Sequence, residues 1–148
     1  MDRGVKPLLR VIEISCCIMK HVFLTIPTGP KVGLSTVSIG LVRALDKRGV
    51  RVSFFKPIDQ PVGNQGGKDR SVHFIRSQTP LNPPDPIDLS HARDLIGQNR
   101  IDDLMEEVVK NFEEASEDAD AIVVEGLLQT AEFPLGSQVN KDLSKTLA

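Results

Sequence analysis

The residues between positions 28 and 36 resemble a phosphate-binding loop in their types and spacing. They form a Gly/Pro turn between a β-rich run and a helix-like pattern. In such a loop, backbone N–H groups at a helix N-terminus surround the anion, a Lys contacts the outer phosphates and a Ser or Thr hydroxyl binds Mg²⁺. The candidate anion-binding residues of the loop are Thr28, Gly29, Lys31, Gly33, Ser35 and Thr36.

The loop departs from the usual pattern G-x-x-x-x-G-K-[ST] in its charge. The second Gly and the Ser match, but Thr28 replaces the first Gly and Leu34 replaces the Lys. Pro30 also removes one backbone donor. The pattern therefore predicts the shape of a P-loop without its usual ammonium group, for which Lys31 is a partial substitute. A Gly turn without any phosphate role is the alternative.

A second candidate lies at the end of an apolar strand, where Glu125 precedes a glycine. Ligands in open α/β sheets bind at the carboxyl ends of the strands, so we expect Glu125 to face the same crevice as the loop. A carboxylate there could bind Mg²⁺ or a water molecule. The alternative is a solvated strand end. The three histidines, His21, His73 and His91, are scattered, and we assign them no role.

The elements that must position these residues alternate between strands and helices, which is typical of a parallel sheet with crossover helices. The predicted strands cover residues 22–26, 51–56 and 120–126, and the predicted helices cover residues 35–48, 90–97, 100–117 and 137–147. Gly49 should end the first helix, and Ser90 and Ser137 should cap the helices over residues 90–97 and 137–147. The crossover rule makes the second strand parallel to the first.

Two further stretches carry predictions. Apolar residues recur at helical spacing from position 101 to 112, so we interpret Met105 and Phe112 as core residues. Between positions 57 and 86 only residues 70–76 are predicted to be ordered, because prolines and glycines break the rest. That connection could be a lid, an interface or a solvated loop.

The composition is that of an ordinary soluble domain. The 148 residues suit one domain, with 40% hydrophobic and 26% charged residues. A net charge of −2 gives no general attraction for nucleic acid or an anionic membrane, and no apolar run is long enough to span one. Cys16 and Cys17 are adjacent, which suits neither a disulfide framework nor a zinc site. These features favour a cytoplasmic protein.

The two ends of the chain also carry predictions. Residues 1–18 are expected to be an extension outside the fold, since Met19 resembles a natural start; an extra strand over residues 8–14 is the alternative. At the other end, the last predicted helix is not followed by a strand. Because such a helix is normally a crossover to another strand, we expect the domain to be incomplete at its C-terminus.

Three motifs in order carry a family resemblance: the run from Pro27 to Ser35, Phe55-Lys-Pro-Ile58 and Val124-Glu-Gly-Leu127. Together they resemble the N-terminal domain of long-form bacterial phosphate acetyltransferase, which is similar to dethiobiotin synthetase. The resemblance covers residues 19–148. It implies a three-layer α/β/α fold with a mainly parallel sheet, like that of P-loop NTPases, as a partial domain from which the catalytic acetyltransferase domain is absent.

The resemblance also implies roles for individual residues. Ser35 and Glu125 correspond to positions near Mg²⁺, Lys56 to a position near substrate or phosphate, and Asp69 to a further carboxylate on the metal side. A Mg-nucleotide or another small anionic effector is the candidate cofactor.

In this family the domain is regulatory and supports assembly. Its expected partners are the catalytic domain, which forms acetyl phosphate and coenzyme A from acetyl-coenzyme A and phosphate, and further copies of itself in a homo-oligomer. A small ATP-dependent ligase resembling dethiobiotin synthetase is the alternative.

Overall fold

Three parallel strands form the sheet, and the strand that comes last in the chain lies in its centre. The computed structural model describes residues 20–60 and 70–147. The strands are β1 (His21–Thr25), β2 (Val52–Phe55) and β3 (Ala121–Glu125), in the order β1-β3-β2. Both outer strands run parallel to β3, with Thr25 opposite Glu125 and Phe55 opposite Val124. The predicted strands and their parallel direction are confirmed.

Five helices surround this sheet in the described part of the chain. They are α1 (Leu34–Asp46), α2 (Arg70–Gln78), α3 (Leu89–Gly97), α4 (Ile101–Ser116) and α5 (Gly136–Thr146). Each corresponds to a predicted segment, with ends that differ by one or two residues. Gly49 follows α1 with a φ of 78°, a left-handed conformation that glycine adopts without steric cost, so its predicted role is confirmed.

The helices cover both faces of the sheet, which produces the expected three layers. Side chains alternate along a strand, so Ile122 and Val124 of β3 face one layer and Val123 faces the other. The first layer contains α3, α4 and α5, and the second contains α1 and α2. All five residues of β3 are buried, as expected for a central parallel strand.

The core includes the aromatic residues that the periodicity assigned to it. The rings of Phe55 and Phe112 meet edge to face, with centroids 5.7 Å apart. Met105 lies on the same side of α4 and packs against the same core. The interpretation of both α4 residues as core residues is confirmed.

Two predicted helix caps are wrong. Asp88, not Ser90, caps α3, because its carboxylate accepts hydrogen bonds from the N–H groups of Ser90 and His91. Leu135 occupies the N-cap position of α5, so Ser137 is already inside the helix. Its hydroxyl donates instead to the Gln129 side chain, 2.8 Å away.

The segment between α2 and α3 is anchored to the fold. Arg76 donates to the carbonyl oxygen of Pro83 at 2.7 Å and pairs with Asp85 at 2.8 Å. Ile87 forms a parallel bridge with Ile58, just beyond the end of β2. This part of the connection is therefore not a solvated loop, whereas the predictions for residues 1–18 and for Asp69 lie outside the described residues. No helix in the described ranges is long and apolar enough to cross a membrane.

Candidate functional site

The predicted phosphate-binding loop connects β1 to the N-terminus of α1. Gly33 is the N-cap of that helix, with a φ of 78°, and Lys31 is also left-handed, with a φ of 59°. Within the described residues no side chain caps α1, and its first turn contains no acidic residue. The first N–H groups of a helix have no partner within the helix, and the helix dipole makes this end positive. The backbone therefore has the form of an anion-binding terminus.

Beside this terminus, Glu125 at the end of β3 accepts several hydrogen bonds through one oxygen. Its Oε1 lies 2.8 Å from Lys56 Nζ, 2.7 Å from Ser71 Oγ and 3.3 Å from Ser35 Oγ. The two serine hydroxyls are 2.7 Å apart and also contact each other. We call these four residues the Glu125 cluster. The expectation that Glu125 faces the loop is confirmed, and the alternative of a solvated strand end is wrong.

The cluster is deeply buried. The side chain of Lys56 is 8% exposed and that of Glu125 is 1% exposed. Taking two charges out of water is costly, and only close pairing with further hydrogen bonds offsets this cost. The 2.8 Å ion pair and the serine donors provide this compensation. The Lys56 ammonium thus neutralises the carboxylate inside the protein.

We compared this donor set with the needs of Mg²⁺, which the resemblance implies near Ser35 and Glu125. Mg²⁺ requires oxygen ligands in near-octahedral geometry and usually one or two carboxylates. Glu125 Oε2 is buried without a hydrogen-bond partner among the described residues, and would be the open ligand atom. However, a dication bound there would be repelled by the ammonium group that contacts the other oxygen. The described part of the chain also contains no cluster of three or more potential metal-binding side chains. The oxygen atoms around Glu125 therefore suit the side-chain ammonium group of Lys56 better than they suit Mg²⁺.

The other predicted site residues lie around the cluster without joining it. Thr28 and Gly29 line a cleft between the loop and the residues after β3. Lys31 and Thr36 are exposed, the first in the loop and the second in the first turn of α1. Leu34, in the place of the phosphate-binding Lys, is the first residue of α1 and is partly buried.

Three residues of this region escaped the sequence analysis. Ser71, whose hydroxyl lies 2.7 Å from Glu125 Oε1, is in the first turn of α2. Asn140 and Gln60 hold the segment after β3 through their side-chain amides. A signal existed for Asn140, because it lies on the apolar stripe of α5 with Val139 and Leu143, where a polar residue must have a buried partner.

Comparison with known proteins identifies a family model and a group of similar enzymes. The family model described as AAA domain matches residues 21–148. Phosphate acetyltransferase from Salmonella typhimurium is 37% identical over 129 residues, which cover 87% of this chain and 18% of that protein. The phosphate acetyltransferase from Nitrosomonas europaea is 39% identical over 127 residues, 86% of this chain and 18% of that protein. The chain thus spans about a fifth of the length of these relatives and is similar to their N-terminal region.

Proposed function

Because this chain belongs to the AAA domain family, we propose that it is the regulatory and assembly part of a phosphate acetyltransferase, and that its loop binds a small anion without hydrolysing ATP. One observation carries the proposal. The ammonium group expected for nucleotide phosphates is missing at Leu34, and Lys56 is bound to Glu125.

The presence of Leu34 in the place of the usual lysine directly affects phosphoryl transfer. Negative charge develops on the phosphoryl oxygens during transfer, and positive groups placed in advance stabilise it. Leu34 offers no charge, and Lys56 would have to leave its buried partner to offer one. Separating a buried ion pair leaves an uncompensated charge and costs roughly 3–5 kcal/mol. Hydrolysis by this site would therefore lack its main electrostatic contribution.

Anion binding needs less than hydrolysis does. The start of α1 supplies N–H groups from Leu34 onward, the dipole favours a negative ligand, and no acidic side chain of the first turn opposes it. Thr36 adds an exposed hydroxyl group at the same end. A single phosphate group or a similar small anion matches these donors.

In our proposal, acetyl transfer takes place in another part of the phosphate acetyltransferase, and this chain is the regulatory part. Acetyl transfer needs a pocket that holds the thioester beside phosphate and donors that stabilise the oxyanion. We place neither a nucleophile with its base nor such a pocket among the described residues. A thiol-release assay on these 148 residues, with acetyl-coenzyme A and phosphate, should therefore give no turnover. Turnover of an ordinary enzyme, about 1–10³ s⁻¹, would contradict the assignment.

Titration with inorganic phosphate, followed by amide NMR shifts, tests the anion site. We expect saturable shifts of the backbone N–H groups of Leu34, Ser35 and Thr36. Leu34→Lys should tighten binding by one to two decades, because a charge-assisted hydrogen bond contributes roughly 1.5–3 kcal/mol. Leu34→Met is the matched control and should leave the affinity unchanged. If phosphate shifts these amides in neither the native chain nor Leu34→Lys, the anion site does not exist.

The alternative of a small ATP-dependent ligase lacks this support. A ligase of that type would need a lysine that contacts the phosphate and a site for the metal ion. Position 34 is a leucine, and the Glu125 carboxylate at the expected metal site is paired with Lys56. We therefore retain the regulatory module as the proposed function, with a cytoplasmic location, the acetyltransferase domain as its partner and a homo-oligomer as its assembly.

A further inference from the structure

The outer edge of β2 is unpaired in the described part of the sheet, where this strand bonds on one side to β3. The Arg51 carbonyl faces β3, because it accepts hydrogen bonds from the Asp120 and Ala121 N–H groups. Peptide groups point alternately to the two sides of a strand, so the N–H and carbonyl groups of Val52 and Phe54 face away from β3. Such an edge is a template on which another extended chain can pair.

A groove of about 550 Å³ runs along this edge, and we call it the β2 groove. Residues 50–54 form its floor. One wall is formed by residues 81–84, and the other by residues 114–115 and 118–119 at the C-terminal end of α4. The two prolines of the first wall have no N–H group to donate, so this wall does not take the place of a paired strand. The edge of β2 is therefore open to a segment from outside.

The two walls of the β2 groove belong to opposite faces of the sheet. Leu81, in the first wall, packs against the cluster that contains Phe54, whereas Ala115, in the second, packs against the cluster that contains Phe55. Phe54 and Phe55 are consecutive strand residues, so their side chains point to opposite faces. An extended segment in the groove presents its side chains alternately to the two walls for the same reason.

The two walls differ in charge, which restricts the partner. The first wall is largely apolar, while the second carries the exposed carboxylates of Glu114 and Asp118. Asp46 adds a third carboxylate, and Arg51, which also lines the groove, pairs with Asp120. The last turn of α4 contains no basic residue, and the helix dipole makes this end negative. Basic side chains are therefore favoured at the second wall and apolar ones at the first.

The chain itself already places one cation at this end of α4. The Lys20 ammonium donates to the carbonyl and hydroxyl oxygens of Ser116, the last residue of the helix, at 2.6 Å and 3.2 Å. Cationic side chains near a helix C-terminus bind its last carbonyl groups in this way. Lys20 does not line the groove, so Glu114 and Asp118 can still contact the cations of a partner.

We propose that the β2 groove is a docking site for an extended basic segment of another protein, in which lysine or arginine alternates with apolar residues. The backbone of that segment adds to the edge of β2, as in other cases of strand addition to a sheet. Its basic side chains contact Glu114 and Asp118, and its apolar side chains contact the wall of residues 81–84. The groove lies at the C-terminal end of α1 and the anion site at its N-terminal end, and neither requires the other.

Titration of the 148-residue chain with the blocked peptide acetyl-Lys-Val-Lys-Val-Lys-amide, followed by amide NMR shifts, tests the groove. We expect saturable shifts confined to residues 46–54, 81–82 and 114–119, with a dissociation constant of roughly 0.1–1 mM. The matched peptide with glutamate in place of each lysine should cause no such shifts. Spermidine, which carries amines without a peptide backbone, should bind at least about tenfold more weakly than the lysine peptide.

A pair of double variants tests the carboxylates of the second wall. Glu114→Gln with Asp118→Asn should weaken binding of the lysine peptide at least about tenfold, because it removes both charges from the wall. Asp102→Asn with Glu106→Gln makes the same change in net charge at exposed positions of α4 outside the groove, and should leave binding unchanged.

The proposal is overturned if the lysine peptide causes no saturable shift, if its shifts map to other residues, or if the two double variants bind it equally. Equal binding of spermidine would make the groove a site for small cations instead. Shifts of residues 50–54 that depend on protein concentration alone would make a second copy of the chain the occupant. Phosphate titration of the same samples separates this proposal from the anion site, since phosphate shifts at the start of α1 without peptide shifts would remove the groove proposal alone.

Discussion

At the scale of single residues, the pairing of Lys56 with Glu125 decides the character of the site. A buried carboxylate at the end of a central strand is stable only with a charge partner. Here the partner comes from the protein, at 2.8 Å, and two serine hydroxyls complete the set. The Glu125 cluster is therefore a buried network in which the charges of Lys56 and Glu125 balance each other.

Removal of the ammonium should be strongly destabilising. We expect Lys56→Met to lower the free energy of unfolding by about 3–5 kcal/mol, because Glu125 would remain charged and buried without its partner. Urea denaturation measures this loss. Lys110→Met, on the exposed surface of α4, is the matched control and should have little effect.

The double variant Lys56→Met, Glu125→Gln tests the reason for that loss. It should recover part of the stability, because an amide can still accept the serine hydrogen bonds without carrying a charge. A Lys56→Met loss below about 1 kcal/mol, typical of surface pairs, would contradict the buried-pair account.

The sequence predicted part of this site. Glu125 was placed correctly because it follows an apolar strand, and the carboxyl ends of parallel strands meet at one edge of the sheet. The role of Lys56 could not be derived, since its sequence position does not reveal whether its ammonium faces solvent, a ligand or a carboxylate. Ser71 was missed because a serine in a short helix has no distinctive pattern, and only the packing of α2 brings it to 2.7 Å from Glu125.

At the scale of elements, strand and helix positions followed from the periodicity, but their arrangement did not. The order β1-β3-β2 places the third strand between the first two, which no local pattern specifies. Cap assignments failed for a physical reason. Asp88 and Ser90 are both good capping residues. The Asp88 carboxylate reaches the first N–H groups of α3, and Ser90 therefore lies within the first turn.

The Asp88 cap of α3 makes a pH-dependent contribution to stability. Hydrogen bonds from the Ser90 hydroxyl and from the Ser90 and His91 N–H groups lower the pKa of Asp88. A carboxyl group with a lowered pKa in the folded state stabilises the fold above its unfolded pKa of about 3.9, and this stability is lost as the pH falls through the folded value. The melting temperature of Asp88→Ala should therefore be lower than that of the native chain at pH 7, with a difference that shrinks in acid.

Asp94→Ala provides the comparison for this cap. Asp94 is exposed near the C-terminal end of the same helix, where the dipole does not favour an acidic residue, so its removal should not lower the melting temperature. A difference between Asp88→Ala and the native chain that stays constant from pH 7 down to about pH 2 would show that the carboxylate charge is not involved.

Asn140 links α5 to the segment after β3. Asn140→Ala should lower the free energy of unfolding by at least about 1–3 kcal/mol, because it leaves the buried N–H and carbonyl groups of Leu127 without these bonds. Chemical denaturation measures the change, and Gln138→Ala, at an exposed position of the same helix, is the control. Equal denaturation midpoints for the two variants would mean that the two Asn140 hydrogen bonds add nothing to stability.

At the scale of the whole molecule, the chain combines a P-loop-like fold with a charge distribution from which we predict no ATP hydrolysis. The fold, the glycine at the helix N-cap and the glutamate at the strand end belong to that architecture. The charge distribution does not, since Leu34 replaces one cation and Glu125 binds the other. The family and the three-layer fold could be predicted from the ordered motifs. The pairing of Lys56 with Glu125 became evident only from the structure, in which both side chains are buried.

Calorimetric titration of the unaltered chain with Mg-ATP tests the central claim most directly. We expect no measurable binding, or binding weaker than that of Leu34→Lys by one to two decades, because position 34 offers the γ-phosphate no ammonium group and the Glu125 carboxylate is paired with Lys56. Leu34→Met should behave like the unaltered chain. Tight binding of Mg-ATP by the unaltered chain, with a dissociation constant near 1 μM, would contradict this account and restore the ATP-dependent ligase as the function.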